Sequence, residues 1–206
     1  MPADTDPRRT SASTPSLKEA PTDHSSRTDR SSSGAEAAPK RWRGRFFEDF
    51  EIGDVYQSRL GKTITETDNQ WFTLLTLNTN QVHFNDEYAK GTRFEKPLVN
   101  STYTLALVAG LTVPDTSENA TANLGWTDIK LPNPVYVGDT LWAESEVIDK
   151  RPSKTRPNVG ILTVRCRGIN QRREVVIEYR RTFMVYRRDA PEVSDRFPGT
   201  DTPWSV

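Results

Sequence analysis

Histidine is scarce in this 206-residue chain: His24 lies in a polar N-terminal stretch and His83 in the body of the sequence. His83 stands within Asn78-Thr79-Asn80-Gln81-Val82-His83-Phe84-Asn85, a loop dense in amide side chains. Imidazole titrates near neutral pH, so a histidine held among hydrogen-bonding groups suits proton transfer. A surface or capping role fits the local sequence equally well. One histidine without clustered cysteines or carboxylates offers too few ligands, so no metal is expected. No G-x-S-x-G surrounds a serine, and Ser101 has no flanking glycine, which leaves a serine nucleophile without support. Neither G-x-x-x-x-G-K nor G-x-G-x-x-G occurs, so phosphate loops and redox dinucleotide cofactors are not expected. The single cysteine, Cys166, excludes an internal disulfide. It lies in a predicted strand and reads as a small core residue, because a buried thiol stays protonated and inert.

The elements that must position His83 follow from patterning. Thr65-Glu66-Thr67-Asp68 offers an N-cap with an acid three places on, a capping box. Trp71, Leu74, Leu75 and Leu77 continue at near-helical spacing. Asn78 to Phe84 is expected as a loop, because Asn and Thr side chains compete for the backbone. A short helix over 86–90 ends at Gly91. Asn100-Ser101-Thr102 caps a second helix, whose body YTLALVAGL (103–111) is apolar almost all round and so is expected to be buried on most sides. The chain then turns to strands over 120–129, 140–149, 161–168 and 174–186, the last three with strict apolar/polar alternation. Their connections are short, which favours antiparallel pairing. The class is α+β: one long central helix wrapped by an antiparallel sheet.

Composition sets the bounds. Residues 1–41 are rich in Ser, Thr, Pro, Asp and Arg and are expected to form a disordered tail, since little apolar surface offsets the ordering entropy. Residues 42–188 carry the core, and 189–206 are expected to be a flexible C-terminal tail. Lys+Arg and Asp+Glu number 28 each, and this neutrality argues against a nucleic-acid partner. No apolar run reaches the ~18 residues of a membrane helix, and no signal-peptide core is visible. A cytoplasmic location with no membrane association is the expectation.

Three segments, in order, then resemble one family. L-N-T-N-Q-V-H-F-N-D-E-Y-A (77–89) resembles the G-D-x-N-P-L-H loop of the MaoC-like dehydratases, the R-specific enoyl-CoA hydratases. F-E-K-P-L-V-N-S-T-Y-T-L-A-L-V-A-G (94–110) resembles that family's F-G-x-P-I-x-H-G lead into its central helix, and L-P-N-P-V-Y-V-G-D-T-L (131–141) resembles its V-x-P-G-D-T-L turn. The amide-rich loop, with S-K-T-R-P-N-V-G-I-L-T-V (153–164), looks most like the mesaconyl-CoA hydratase (β-methylmalyl-CoA dehydratase) branch, many of whose members contain two hotdog units.

The resemblance implies a single hotdog fold that works as a homodimer or a dimer-based oligomer. It implies a hydro-lyase acting on a short branched acyl-CoA substrate, with no cofactor beyond the CoA that the substrate carries. Carried over by position, His83 and Asn78 are catalytic, and a backbone N–H at Ser101 receives the thioester oxygen. Asn78 stands where the family has Asp, and a neutral amide cannot take a proton from water. Either His83 is then the sole base, with Asn78 orienting the water, or the hydratase chemistry is lost. Asn80 and Asn100 are expected at the substrate, and Arg156 is expected to pair with a free substrate carboxylate. Two alternatives stay open: a hydratase for other enoyl-CoA or polyketide-type enoyl thioesters, and a non-catalytic hotdog subunit that binds acyl-CoA.

Overall fold

The structure, a computed structural model, describes residues 42–193, 200 and 202. In chain order its elements are β1 (Val55–Gln57), β2 (Lys62–Thr63), α1 (Glu66–Leu75), α2 (Asp86–Lys90), α3 (Ser101–Leu111), β3 (Ala120–Lys130), β4 (Thr140–Pro152), β5 (Val159–Asn170) and β6 (Val175–Tyr186). The tail expected over 1–41 lies outside the described residues. A short 3-10 turn at Pro191–Val193 falls within the expected C-terminal tail.

Alternation explains the long strands. Leu141, Ala143 and Val147 of β4, Leu162, Val164 and Cys166 of β5, and Ile177, Tyr179, Phe183 and Val185 of β6 are all buried. Their neighbours Glu144, Glu146, Arg165 and Arg167 form cross-strand ion pairs on the opposite face. Pairing is antiparallel throughout, in the order β1-β4-β5-β6-β3, with β2 also on β4. The α+β expectation therefore holds.

α3 lies on the apolar face of this sheet. Val108 is fully buried, and Tyr103, Leu105, Leu107, Ala109 and Leu111 pack partly buried against the same core. The helix comes so near β5 that a Cβ at Gly168 would sit 2.6 Å from a Val108 methyl. Glycine there permits the close approach. The apolar helix is nevertheless not enclosed on all sides: Ala106 and Gly110 are exposed.

α1 departs further from expectation. Trp71, Leu74, Leu75 and Leu77, the residues with helical spacing, are 67%, 53%, 79% and 85% exposed. The face turned inward is polar and carries Asn69 and Thr73, 1% and 0% exposed. The helix docks by hydrogen bonds and leaves its apolar side uncovered in the single chain.

Candidate active site

The start of α1 is fixed by its capping box. Thr65 Oγ1 accepts from Asp68 N at 3.1 Å, and Asp68 Oδ2 accepts from Thr65 N at 2.8 Å. Lys62 donates to the same carboxylate at 2.7 Å. The Lys62 hydrogen bond, then the Thr65 N–H, hold the Asp68 carboxyl down at about 2.

α1 ends in a Schellman closure: Leu77 N reaches Leu74 O at 3.0 Å, and Asn78 N reaches Thr73 O at 3.0 Å. Leu77 takes the left-handed conformation, φ 57°, that this closure needs and that glycine adopts most easily. Asn78 then begins a chain of side-chain caps. Asn78 Oδ1 accepts from Asn80 N, Asn80 Oδ1 from Val82 N, and Asn85 Oδ1 from Tyr88 N at the head of α2. The amides that compete with regular backbone structure here build a tight 3-10 turn, Gln81–His83, and deliver His83 at 9% exposure.

The imidazole is oriented by one bond. His83 Nδ1 lies 2.9 Å from Leu98 O. A carbonyl only accepts, so Nδ1 carries the proton and Nε2 is left as the basic nitrogen of the neutral ring. His83 lines a cavity of about 190 Å³ whose other walls include Gln70 of α1 and Tyr136-Val137 of the β3–β4 loop. Its charged members are Glu66, Asp86 and Lys96, with the exposed Lys96 ammonium 4.2 Å over the Tyr136 ring.

The head of α3 stands next to this loop. Asn100, 1% exposed, caps the helix: its Oδ1 accepts from Thr102 N at 3.0 Å, and its Nδ2 donates to Thr73 Oγ1 at 3.2 Å. Ser101 is the first helical residue, so its N–H has no acceptor within the helix and lies at the positive end of the dipole. Asn69 joins the two halves. Its Nδ2 donates to His83 O at 2.7 Å and to Leu98 O at 3.3 Å, and its Oδ1 accepts from Asn100 N at 2.9 Å.

The structure thus gathers Asn78, Asn80 and His83 in one loop and ties that loop to Asn100 and Ser101. Two expected site residues stand apart from the His83 turn. The Asn100 carboxamide is buried and committed to the helix cap and to Thr73. Arg156 does not join the others within the chain. It is exposed in the β4–β5 connection, where Nη1 lies 3.9 Å from Met184 Sδ. The 13-residue β4 runs from Thr140, beside β2, to Pro152, next to that connection. Sequence reasoning missed Asn69. Its signal was a polar pair, Asn69 and Thr73, four apart in a helix otherwise judged by its apolar residues.

A larger cavity of about 840 Å³ opens along α3, lined by Tyr103, Leu107, Leu111, Phe72 and Leu60. It contains no histidine, and its one carboxylate, Asp115, is paired with Arg45 at 3.0 Å. Size alone favours it, but among the described residues the one histidine, the side chain suited to proton transfer near neutral pH, lines the smaller cavity.

Comparison with known proteins places this arrangement. The family profile described as mesaconyl-CoA hydratase matches residues 24–201. The chain belongs to the mesaconyl-CoA hydratase family. It is 36% identical over 146 residues to a mesaconyl-CoA hydratase of Cereibacter sphaeroides, covering 71% of this chain and 42% of the relative. It is 36% identical over 174 residues to a β-methylmalyl-CoA dehydratase of Chloroflexus aurantiacus, covering 79% and 49%. The chain therefore spans less than half the length of these curated members. A solved MaoC-domain dehydratase from Chloroflexus aurantiacus superposes with a TM-score of 0.70 at 35% identity, covering 82% of this chain and 46% of that one. A Mycobacterium tuberculosis protein described as having a double hotdog fold superposes at 0.66 with 20% identity, covering 78% and 48%. The fold of this family member is a hotdog, as expected from the resemblance.

Proposed function

We propose that this chain is a hydro-lyase that adds water to, or removes it from, a short branched acyl-CoA, with mesaconyl-CoA and β-methylmalyl-CoA as the pair interconverted. The observation that carries the reading is His83. Its Nδ1 is committed to Leu98 O, which leaves Nε2 as the base of a residue that lines a small cavity, and Asn69 ties the His83 backbone to the residue just before α3. In the hydration direction Nε2 takes a proton from water as the oxygen bonds to the β-carbon of the enoyl group. The electron pair of the double bond moves into the thioester as an enolate, whose oxygen is received by the Ser101 N–H. His83 then returns the proton to the α-carbon. Asn78, a neutral amide, orients the water and takes no proton. Asn80 supports this loop by capping the His83 turn. No cofactor or metal takes part.

The small cavity favours a short acyl chain. Lys96 at its rim supplies a cation for the free carboxylate of a dicarboxylic substrate, the role expected of Arg156. A second hotdog unit, in our reading another copy of this chain, covers the apolar surface that the single unit leaves exposed. The surfaces that suit it are the sheet edge β3, with Leu124, Trp126 and Ile129 exposed, and the uncovered apolar side of α1. We place the protein in the cytoplasm, where an acyl-CoA substrate of the kind proposed would be met. No helix among the described residues is long and apolar enough to cross a membrane. Asn78 in place of an acid favours one rival, a non-catalytic hotdog subunit. Mixing the protein with mesaconyl-CoA and following enoyl-thioester absorbance separates the two. Catalytic loss of the band supports the hydro-lyase, and an unchanged band with mesaconyl-CoA and crotonyl-CoA supports the rival.

A further inference from the structure

We propose that Asn69 is a positioning residue that sets the base and the oxyanion donor of the hydratase site together, through one buried carboxamide. This rests on the reading of His83 and Ser101 given above. Asn69 is 1% exposed, and all three of its hydrogen bonds go to backbone groups. The orientation of the amide is unambiguous: His83 O and Leu98 O can only accept, and Asn100 N can only donate. Leu98 O is the decisive atom. It receives both Asn69 Nδ2–H and His83 Nδ1–H, so Asn69 holds in place the carbonyl that dictates the imidazole tautomer. On its other side Asn69 holds Asn100 N, immediately before Ser101. A shift of the His83 turn relative to α3 would break one of these bonds. A leucine of similar size would leave His83 O and Asn100 N buried without their Asn69 partner, although the fold would still be packed.

A purely structural Asn69 and a positioning Asn69 differ in what they do to the ring. In a His24→Gln background His83 is the sole histidine, so ¹⁵N resonances of labelled histidine report its tautomer alone. Wild-type protein at mildly alkaline pH is expected to show the Nδ1–H form. Asn69→Leu is expected to mix the tautomers and to lower kcat about 10- to 100-fold, the scale of a misplaced catalytic group, with KM changed by less than about threefold. Asn69→Asp keeps the acceptor for Asn100 N but loses both donors. It should therefore disturb the His83 signal as Asn69→Leu does, because a carboxylate oxygen then faces the two carbonyls. Glu66, Asp86, Lys96 and Tyr136 face the same cavity and are unchanged in both variants, so the differences read position 69. A wild-type ring in the Nε2–H form overturns the proposal, as does a wild-type tautomer and kcat in both variants with only stability reduced. The tautomer measurement needs no turnover: inactive wild-type protein with the Nδ1–H form would refute the hydratase reading and leave the positioning geometry standing.

Discussion

Replacing Asn100 by alanine removes a group that the structure uses in two directions. Its Oδ1 caps α3 at Thr102 N, and its Nδ2 donates to Thr73 Oγ1 inside the α1–α3 contact. Losing an Asn cap costs about 1 kcal/mol. A buried hydroxyl that loses its partner adds roughly 1–3 kcal/mol. With Asn100 1% exposed, water does not readily replace either bond. Asn100→Ala should therefore destabilise by about 2–4 kcal/mol. Asn100→Asp retains the capping oxygen and loses only the donor to Thr73, so it should fall in between. The measurement is urea unfolding at matched protein concentration, because self-association would otherwise shift the midpoint. Turnover should fall along with the ordering of the α3 start. An alanine variant within about 0.5 kcal/mol of wild type, or Asn100→Asp as damaging as alanine, would refute the reasoning.

Leu77→Gly should stabilise the monomeric fold by about 0.5–1 kcal/mol in thermal unfolding: it relieves a left-handed leucine, worth about 1–2 kcal/mol, against the entropy that glycine adds to the unfolded chain. A lower melting temperature at a concentration where the chain is monomeric would contradict this. Lys96→Met should lower kcat/KM about five- to tenfold for mesaconyl-CoA, an effect of roughly 1–1.4 kcal/mol, and less than about twofold for crotonyl-CoA; equal losses would remove Lys96 from substrate recognition. Asp68 is held below its ordinary pKa by Lys62 and Thr65, so its contribution to stability is present above about pH 4 and is lost as pH falls towards about 2. Lys62→Met should flatten that acid limb in pH-dependent unfolding, and an unchanged limb would count against the pairing.

The sheet was legible because β4, β5 and β6 alternate strictly, and burial on one face leaves that pattern little other meaning. The bounds of α3 were legible from Asn100, whose side chain does cap the helix. The orientation of α1 was not. Helical spacing of Trp71, Leu74 and Leu75 implies a buried apolar face only when that face meets the chain's own core. Here Asn69 and Thr73 satisfy backbone and side-chain groups inside, and the apolar face stays exposed in the single chain. The two-residue β2 carries too little pattern to be seen. The place of Arg156 was hidden for a related reason: a loop arginine between two strands has no periodicity to say which end of the sheet it serves. The position of His83 within its loop was readable. The carbonyl that orients its ring belongs to Leu98, 15 residues away, and only the folded chain brings the two together.

The central claim is that His83 is the base of a mesaconyl-CoA hydro-lyase. Its most direct test is steady-state hydration of mesaconyl-CoA by the wild-type protein and by His83→Ala, followed at the enoyl-thioester band, with each protein's unfolding temperature measured alongside. The account predicts catalytic hydration by wild type and a kcat lower by about 10²–10⁴-fold in a folded variant, the usual scale for a lost general acid/base. A folded His83→Ala that hydrates mesaconyl-CoA at the wild-type rate would contradict it.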